Sequence, residues 1–322
     1  MNANRKITLI FIVLFFSFFS YGLSKWLGTW DNKLLQKISR LQKAAEQGDM
    51  RAQNDLGHIY EVGNGIEVDY TKSVYWYKKS AEKEFAPALY NLGRYYANGI
   101  GVNKDPRVAR EYYSRSASQG FALAQVNFGK LLLDGKGGDI DYDQARELFK
   151  KAAEVGSSVA MYDLGYMYEN GLGIPKDDTT AAEWYIKSAD RGFWKARNSL
   201  ALYYAQGLGG VHINRTEALN LLKLSACQGY SIAQVNLGML YSGNTGDISF
   251  DYIKAYAWLS VAIYNGYNDA ESLKTEVAEK IGKNEIKKAT NAANEYIKRY
   301  PSYSNWNAKD KECRLLLQQD EI

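Results

Sequence analysis

The most constraining feature of this 322-residue chain is an internal repeat with a period of 36 residues. A small residue returns at the same place in six segments: Gly57, Gly93, Gly129, Gly165, Ala201 and, 37 residues further on, Gly238. Periods of roughly 20 to 50 residues are typical of solenoids, whose units cannot bury their apolar faces alone and must stack. The repeat therefore predicts a row of similar packed units.

The residues around each repeat position predict a helix. A small residue lies five positions earlier, a large apolar residue directly before, and a tyrosine or leucine three positions later, as in Ala52, Leu56 and Tyr60 of the first copy. These spacings bring the side chains to one face of a helix. A glycine then follows, from Gly63 in the first copy to Gly243 in the sixth. Glycine readily adopts the left-handed backbone that ends a helix.

A second helix is predicted after a short loop in each copy. The loop ends at an Asp or Asn, Asp69 in the first copy, whose side chain can cap the free N–H groups of a new helix. A small side chain then stands three positions before a bulky pair, as Ser73 stands before Trp76 and Tyr77. Most second helices end at a glycine, although Glu84 takes that place in the first copy. Each unit is thus predicted to be helix, loop, helix and turn.

The predicted fold class is all-α, an α/α superhelical solenoid of six helix-loop-helix units over residues 49–266. Residues 32–48 end like a second helix and are predicted to be an N-terminal capping helix. Periodic apolar residues predict C-terminal capping helices within residues 267–299, followed by a tail over residues 300–322.

The combined pattern resembles the Sel1-like repeat. It reads A-x-x-x-L-G-x-x-Y-x-x-G-x-G and then D-x-x-x-A-x-x-W-Y-x-K-A-A, in six copies over residues 49–266. The weakest copies are the fifth, where Ala201 replaces glycine, and the sixth, where Asn244 and Thr245 interrupt the loop. The resemblance implies a tetratricopeptide-like superhelix that acts as an adaptor or scaffold, and it does not imply one function.

The first 24 residues predict a targeting segment. Arg5 and Lys6 precede an apolar run over residues 7–19, and small residues follow, which is the organisation of a signal peptide. The run continues weakly to Leu23, which would suit a retained anchor. Residues 1–24 are therefore predicted to be a signal peptide or an N-terminal membrane anchor, with a buried helix of the stack as the least favoured alternative. Either targeting segment would place the repeats in the periplasm, or at the inner membrane facing the periplasm, of a Gram-negative cell.

Composition and charge argue against several kinds of site. The net charge of +4 comes from 40 basic and 36 acidic residues scattered along the chain, so no basic stripe for nucleic acid is predicted. His58 and His212 are the two histidines; they lie far apart in the repeat and in no recognised catalytic motif. With two cysteines, they cannot build a zinc site. We therefore predict no enzymatic activity, no metal and no small-molecule cofactor.

The two cysteines leave two alternatives open. In an oxidising compartment, Cys227 and Cys313 could form one disulfide that would hold the tail against the stack. The other alternative is an inert, buried Cys227 and an unpaired thiol in the tail.

The position directly after the repeat glycine varies between copies, which indicates freedom from core packing. It holds His58, Arg94, Lys130, Tyr166, Leu202 and Met239. One helical turn earlier, Tyr90 and Tyr162 belong to a second variable row. We predict that these eight residues line a concave groove and bind a partner protein; the alternative is an ordinary solvated face.

A polar column lies two positions before the repeat glycine. It consists of Asp55, Asn91, Asn127, Asp163, Ser199 and Asn236. Because the column repeats, we predict that it is structural and forms hydrogen bonds from unit to unit.

The sequence therefore predicts a non-enzymatic protein-binding scaffold or adaptor, exported to the periplasmic side. Exported Sel1-like proteins include immunity proteins that neutralise secreted effectors, so the resemblance implies a lipase-type effector toxin as one kind of partner. The alternative is a membrane-anchored adaptor for envelope assembly or host interaction, whose partners would be envelope proteins.

Overall fold

The computed structural model describes residues 34–243, 250–300 and 313. These residues form helices joined by turns and short loops, and no strand occurs among them. The all-α fold class is confirmed. The predicted targeting segment, the loop at Asn244 and Thr245 and most of the predicted tail lie outside the described residues.

The chain divides into two compact units between Ile140 and Asp141. The helices of unit 1 are α1 (residues 34–46), α2 (Met50–Val62), α3 (Tyr70–Ala81), α4 (Ala86–Asn98), α5 (Pro106–Ser118) and α6 (Ala122–Asp134). Here α2 pairs with α3 and α4 with α5, and α3 also packs against α4. Unit 1 is therefore a stack of antiparallel helical hairpins.

Unit 2 continues the same pattern. Its helices are α7 (Tyr142–Glu154), α8 (Ser158–Asn170), α9 (Asp178–Asp190), α10 (Trp194–Gln206), α11 (Arg215–Cys227), α12 (Ser231–Ser242), α13 (Tyr252–Tyr264), α14 (Glu271–Lys280) and α15 (Ile286–Arg299). A 3-10 turn at Asn268–Ala270 precedes α14, and α15 packs along α13. We call the even-numbered helices α2 to α12 first helices and the odd-numbered helices α3 to α13 second helices.

The predicted helix ends are largely confirmed. The side chain of Asp69 accepts a hydrogen bond from the N–H of Lys72, and the equivalent Asp or Asn caps every later second helix in the same way. Gly63 ends α2 in the left-handed region, with φ 70°. Gly243 differs, since its backbone is extended with φ −100°. The left-handed ending predicted for the sixth copy is therefore wrong.

The repeat glycine makes room for a side chain of the second helix. A Cβ atom on Gly165 would lie 2.7 Å from the ring of Tyr185, and one on Gly93 would lie 2.6 Å from the ring of Tyr113. These distances are shorter than carbon atoms tolerate. The glycine therefore lets the two helices of a hairpin approach closely.

Two kinds of polar side chain join the helices, and neither was predicted from the sequence. In four hairpins a buried serine of the second helix donates to a carbonyl at the start of the first helix: Ser80 to Met50, Ser116 to Ala86, Ser188 to Ser158 and Ser225 to Trp194. In three places a buried glutamine of a first helix donates to a carbonyl at the end of the helix before it: Gln53 to Ala45, Gln125 to Ala117 and Gln234 to Ala226. Because buried carbonyls need a donor, these bonds fix how neighbouring helices meet.

The two cysteines form a disulfide in unit 2. The Cα atoms of Cys227 and Cys313 lie 5.8 Å apart, and both residues are buried. The bond ties the end of α11 to a residue 86 positions later in the sequence. Of the two alternatives that the sequence left open, the paired one is the one observed.

Glu84 adopts a backbone conformation that is unfavourable for a residue with a Cβ atom. It has φ 57°, a left-handed conformation that glycine adopts at the equivalent turns, as at Gly120 with φ 82°. A side chain with a Cβ atom pays roughly 1–2 kcal/mol for this conformation. Glu84 compensates in part, since its carboxylate lies 2.5 Å from the guanidinium of Arg115 in an exposed ion pair.

We predict that Glu84→Gly raises the free energy of unfolding by about 1 kcal/mol, because relief of the backbone strain outweighs an exposed ion pair worth about 0–1 kcal/mol. Urea unfolding followed by circular dichroism measures the change. The matched control is Glu84→Ala, which removes the ion pair but keeps the Cβ atom and should give no gain. Equal effects of the two substitutions would contradict the assignment of strain.

Candidate protein-binding surface

Side chains of successive first helices contact one another directly. The amide of Asn91 in α4 donates to the side-chain oxygen of Asn54 in α2 at 3.1 Å, and Asn236 in α12 donates to Asn198 in α10 at 2.8 Å. Asn91 and Asn236 of the polar column thus bond from one repeat to the next, as predicted, although their acceptors stand in the row one position earlier. Within each unit, first helices therefore lie side by side and form one face.

In unit 1, two of the predicted binding residues belong to an ion-pair network. The guanidinium of Arg94 lies 2.5 Å from the carboxylate of Glu61, and the hydroxyl of Tyr77 donates to the same carboxylate at 2.8 Å. His58 Nδ1 lies 3.7 Å from it, with 63% of the His58 side chain exposed. Arg94 thus joins α4 to α2 and is not free of packing, whatever else it binds.

Burial and charge act in opposite directions on Glu61. Burial raises its pKa, but the hydrogen bonds from Arg94 and Tyr77 and the charges of Arg94 and His58 outweigh burial, so that the pKa lies below its ordinary value of 4.5. The carboxylate is therefore charged at neutral pH, and its ionised form stabilises unit 1.

The two predicted binding tyrosines one turn earlier are half-buried. The ring of Tyr90 lies 5.4 Å, centroid to centroid, from that of Phe121, and Tyr162 lies 5.4 Å from Phe193. Each phenylalanine stands directly before the next first helix. Tyr90 and Tyr162 therefore pack between repeats and are only partly accessible to solvent.

The remaining predicted residues include a row of exposed apolar side chains in unit 2. Tyr166 in α8 is 39% exposed, Leu202 in α10 is 39% exposed and Met239 in α12 is 53% exposed. They occupy equivalent positions on three first helices. We call these three residues the apolar row. Lys130, at the equivalent position of α6 in unit 1, is half-buried.

Glu169, which was not predicted as a site residue, is half-buried in α8 one turn after Tyr166. Its carboxylate accepts a hydrogen bond from the hydroxyl of Tyr185 at 2.6 Å. Burial and this hydrogen bond raise the pKa of Tyr185, so the hydroxyl remains a donor at neutral pH. The available signal was the distance of 108 residues, three full periods, between Glu61 and Glu169.

The described residues place few groups for chemistry together. Over residues 34–243, 250–300 and 313, no cluster of three or more His, Cys, Asp or Glu side chains is arranged to hold a metal ion. His58 lies on α2 and His212 in the loop after α10. As for membrane insertion, none of the helices in the part of the chain that the structure describes is long and apolar enough to span a bilayer.

We predict that unit 1 loses stability as the pH falls below about 4.5, since protonation of Glu61, with its lowered pKa, removes the charge that Arg94 and Tyr77 bind. Glu61→Gln should lower the free energy of unfolding at pH 7 by about 1–3 kcal/mol and reduce the further loss between pH 7 and pH 3.5. Urea unfolding at the two pH values measures both effects. Glu67→Gln, an exposed control in the same unit, should leave the acid loss unchanged. An acid loss in Glu61→Gln as large as in the unaltered protein would contradict the role of this carboxylate.

The Sel1 repeat family matches seven segments of the chain, residues 41–49, 51–85, 86–121, 122–157, 158–193, 194–230 and 231–267. The first match is short and coincides with the end of the predicted capping segment. The other six coincide closely with the six predicted units.

Solved structures give the same result. A Sel1 repeat protein from Oxalobacter formigenes is 33% identical, with 72% of this chain and 92% of that chain covered and a TM-score of 0.68. The protein c5321, a protective antigen of uropathogenic Escherichia coli strains, is 26% identical, with 89% and 74% covered and a TM-score of 0.54.

A more distant structure is the immunity protein Pa5087 from Pseudomonas aeruginosa, which is 22% identical, with 62% and 75% covered and a TM-score of 0.43. No curated protein matches the chain significantly. The repeat in the sequence, the stacked hairpins of both units and the family match all describe one architecture, and this chain belongs to the Sel1 repeat family.

Proposed function

We propose that this protein is a non-enzymatic scaffold that binds one protein partner on the first-helix face of unit 2. The observation that carries the proposal is the apolar row of Tyr166, Leu202 and Met239. Single exposed apolar side chains are common on protein surfaces and need no explanation. Three at equivalent positions of neighbouring first helices form a surface suited to another protein, because aromatic, aliphatic and methionine side chains are enriched at the centres of such interfaces.

Comparison with unit 1 supports the same surface. The positions equivalent to Tyr166 and Leu202 hold His58 and Arg94, which face the carboxylate of Glu61 within their own unit. The apolar side chains of Tyr166 and Leu202 do not form such ion pairs. The two units therefore share a scaffold but present different side chains on the same face, as expected where one of them meets a partner.

We propose further that the repeats work in the periplasm, or at the inner membrane facing it. The disulfide between Cys227 and Cys313 supports an oxidising compartment, because disulfides persist there and are rare in the cytosol. The charged and apolar pattern of residues 1–24 is typical of an export signal or anchor and supports the same location.

Two partners fit an exported scaffold of this kind. The first is a secreted effector toxin, of lipase type, which the protein would neutralise as an immunity protein. The second is an envelope protein, with this chain as an adaptor in envelope assembly or host interaction; the likeness to a protective antigen of uropathogenic Escherichia coli favours this second candidate. Protection of cells against a periplasmic toxin encoded beside this protein would support the first, and no protection would remove it.

The docking surface is tested by replacing the apolar row with serine, Tyr166→Ser, Leu202→Ser and Met239→Ser together. The full chain captures its partner from an envelope extract, and mass spectrometry identifies and quantifies it. We expect the triple variant to capture at most about a tenth as much, since the loss of central apolar contacts costs well over 1.4 kcal/mol of binding.

The matched control replaces three exposed apolar side chains of unit 2 that lie outside the first helices: Val155→Ser, Ile213→Ser and Tyr264→Ser. The control should capture as much partner as the unaltered chain, and both variants should keep their helical circular dichroism. Equal capture by the two triple variants would show that the apolar row is not the docking surface.

A further inference from the structure

One side-chain arrangement occurs twice in the part of the chain that the structure describes, at positions 108 residues apart. In unit 1 the hydroxyl of Tyr77 donates to Glu61 at 2.8 Å, and in unit 2 the hydroxyl of Tyr185 donates to Glu169 at 2.6 Å. In each case a tyrosine of the second helix reaches a glutamate near the end of its first helix. The repeat therefore provides an internal comparison of the two sites.

The tyrosine rings next to the two glutamates are also arranged in the same way. The ring of Tyr77 meets that of Tyr95 with centroids 5.5 Å apart at an interplanar angle of 82°. The ring of Tyr185 meets that of Tyr203 at 5.6 Å and the same angle of 82°. Each glutamate thus accepts a hydrogen bond from one tyrosine of an edge-to-face pair.

The two sites differ in what faces the carboxylate. In unit 1 Arg94 binds Glu61, and its guanidinium also lies 5.4 Å from the centre of the Tyr95 ring. In unit 2 the residue equivalent to Arg94 is Leu202. Within the described part of the chain, Glu169 interacts with the hydroxyls of Tyr185 and Tyr203 and forms no ion pair.

The surroundings of Glu169 make a cation favourable there. Glu169 is half-buried, one helical turn after Tyr166 on α8. By equivalence with Arg94 and Glu61, Leu202 is the residue of the next first helix that faces it. A partner that covers the apolar row would therefore remove Glu169 from water. Burying an unpaired carboxylate is costly, whereas an arginine would supply paired N–H donors and a flat face to stack on tyrosine. Arg94 shows that a guanidinium fits this arrangement.

We infer that Glu169 binds an arginine side chain of the protein partner, in the place that Arg94 occupies in unit 1, while neighbouring apolar residues of that partner pack on the apolar row. The inference rests on the proposed function and adds the chemistry of the docking segment. That segment carries an arginine next to apolar residues.

The proposed arginine site at Glu169 is tested with a defined probe, N-acetyl-arginine amide, and with its uncharged analogue N-acetyl-citrulline amide. The full chain is labelled with carbon-13 at glutamate side chains, and the carboxyl signal of Glu169 is followed by NMR. We expect a saturable shift with the arginine probe and an affinity about tenfold lower for citrulline. The signal of Glu61, already bound by Arg94, should respond to neither probe. Equal responses of Glu169 to the two probes, or none, would overturn the inference.

Leu202→Arg provides the complementary variant, because the new guanidinium can bind Glu169 as Arg94 binds Glu61. It should raise the midpoint of thermal unfolding and abolish the response of Glu169 to the arginine probe. Glu169→Gln keeps an acceptor for Tyr185 and should weaken partner capture about tenfold. If Leu202→Arg and Glu169→Gln both capture the partner normally while the triple serine variant does not, arginine binding at Glu169 is contradicted, whereas docking on the apolar row is supported. If the triple serine variant also captures normally, the proposed function fails with it.

Discussion

The contact between the repeat glycine and the second-helix side chain above it is the constraint on which the remaining structure depends. A Cβ atom on Gly165 would lie 2.7 Å from the ring of Tyr185, too close for two carbon atoms, so glycine lets the two helices of that hairpin approach closely. This approach brings the tyrosine hydroxyl to the carboxylate of Glu169. Tyr166, the residue directly after Gly165 on α8, is exposed to solvent. Packing and surface chemistry thus follow from one close contact.

Features that depend on neighbouring residues were predictable from the sequence. Asp69 caps α3 and Gly63 ends α2 because capping and left-handed backbone are local properties of those residues. The role of Arg94 was harder to predict. Its position varies between copies, which indicated freedom from packing, whereas Arg94 pairs with Glu61, 33 residues earlier. The position of Glu61 also varies between copies. Comparing copies one position at a time does not detect two positions that change together. The cysteines left an alternative open for the same reason, because pairing across 86 residues depends on the fold.

Polar and apolar side chains are distributed differently on the first-helix faces of the two units. Unit 1 satisfies the carboxylate of Glu61 internally, with a cation from the next first helix. Unit 2 keeps the carboxylate and its tyrosine, but places Leu202 where the cation would be. In a solenoid the scaffold repeats, and specificity comes from such departures. In unit 2 these differences from unit 1 produce one exposed surface, which consists of the apolar row and the carboxylate of Glu169.

The most direct measurement is the free energy of unfolding of Gly165→Ala, with Gly282→Ala as a control at a site where a Cβ atom meets no neighbour. Alanine favours a helix over glycine by about 1 kcal/mol, so helix propensity alone would stabilise the Gly165 variant. If the close contact determines the stack, Gly165→Ala instead lowers the free energy of unfolding by about 1–3 kcal/mol, and Gly282→Ala changes it by less than about 0.5 kcal/mol. A Gly165→Ala protein as stable as the unaltered chain, or more stable, would contradict the account.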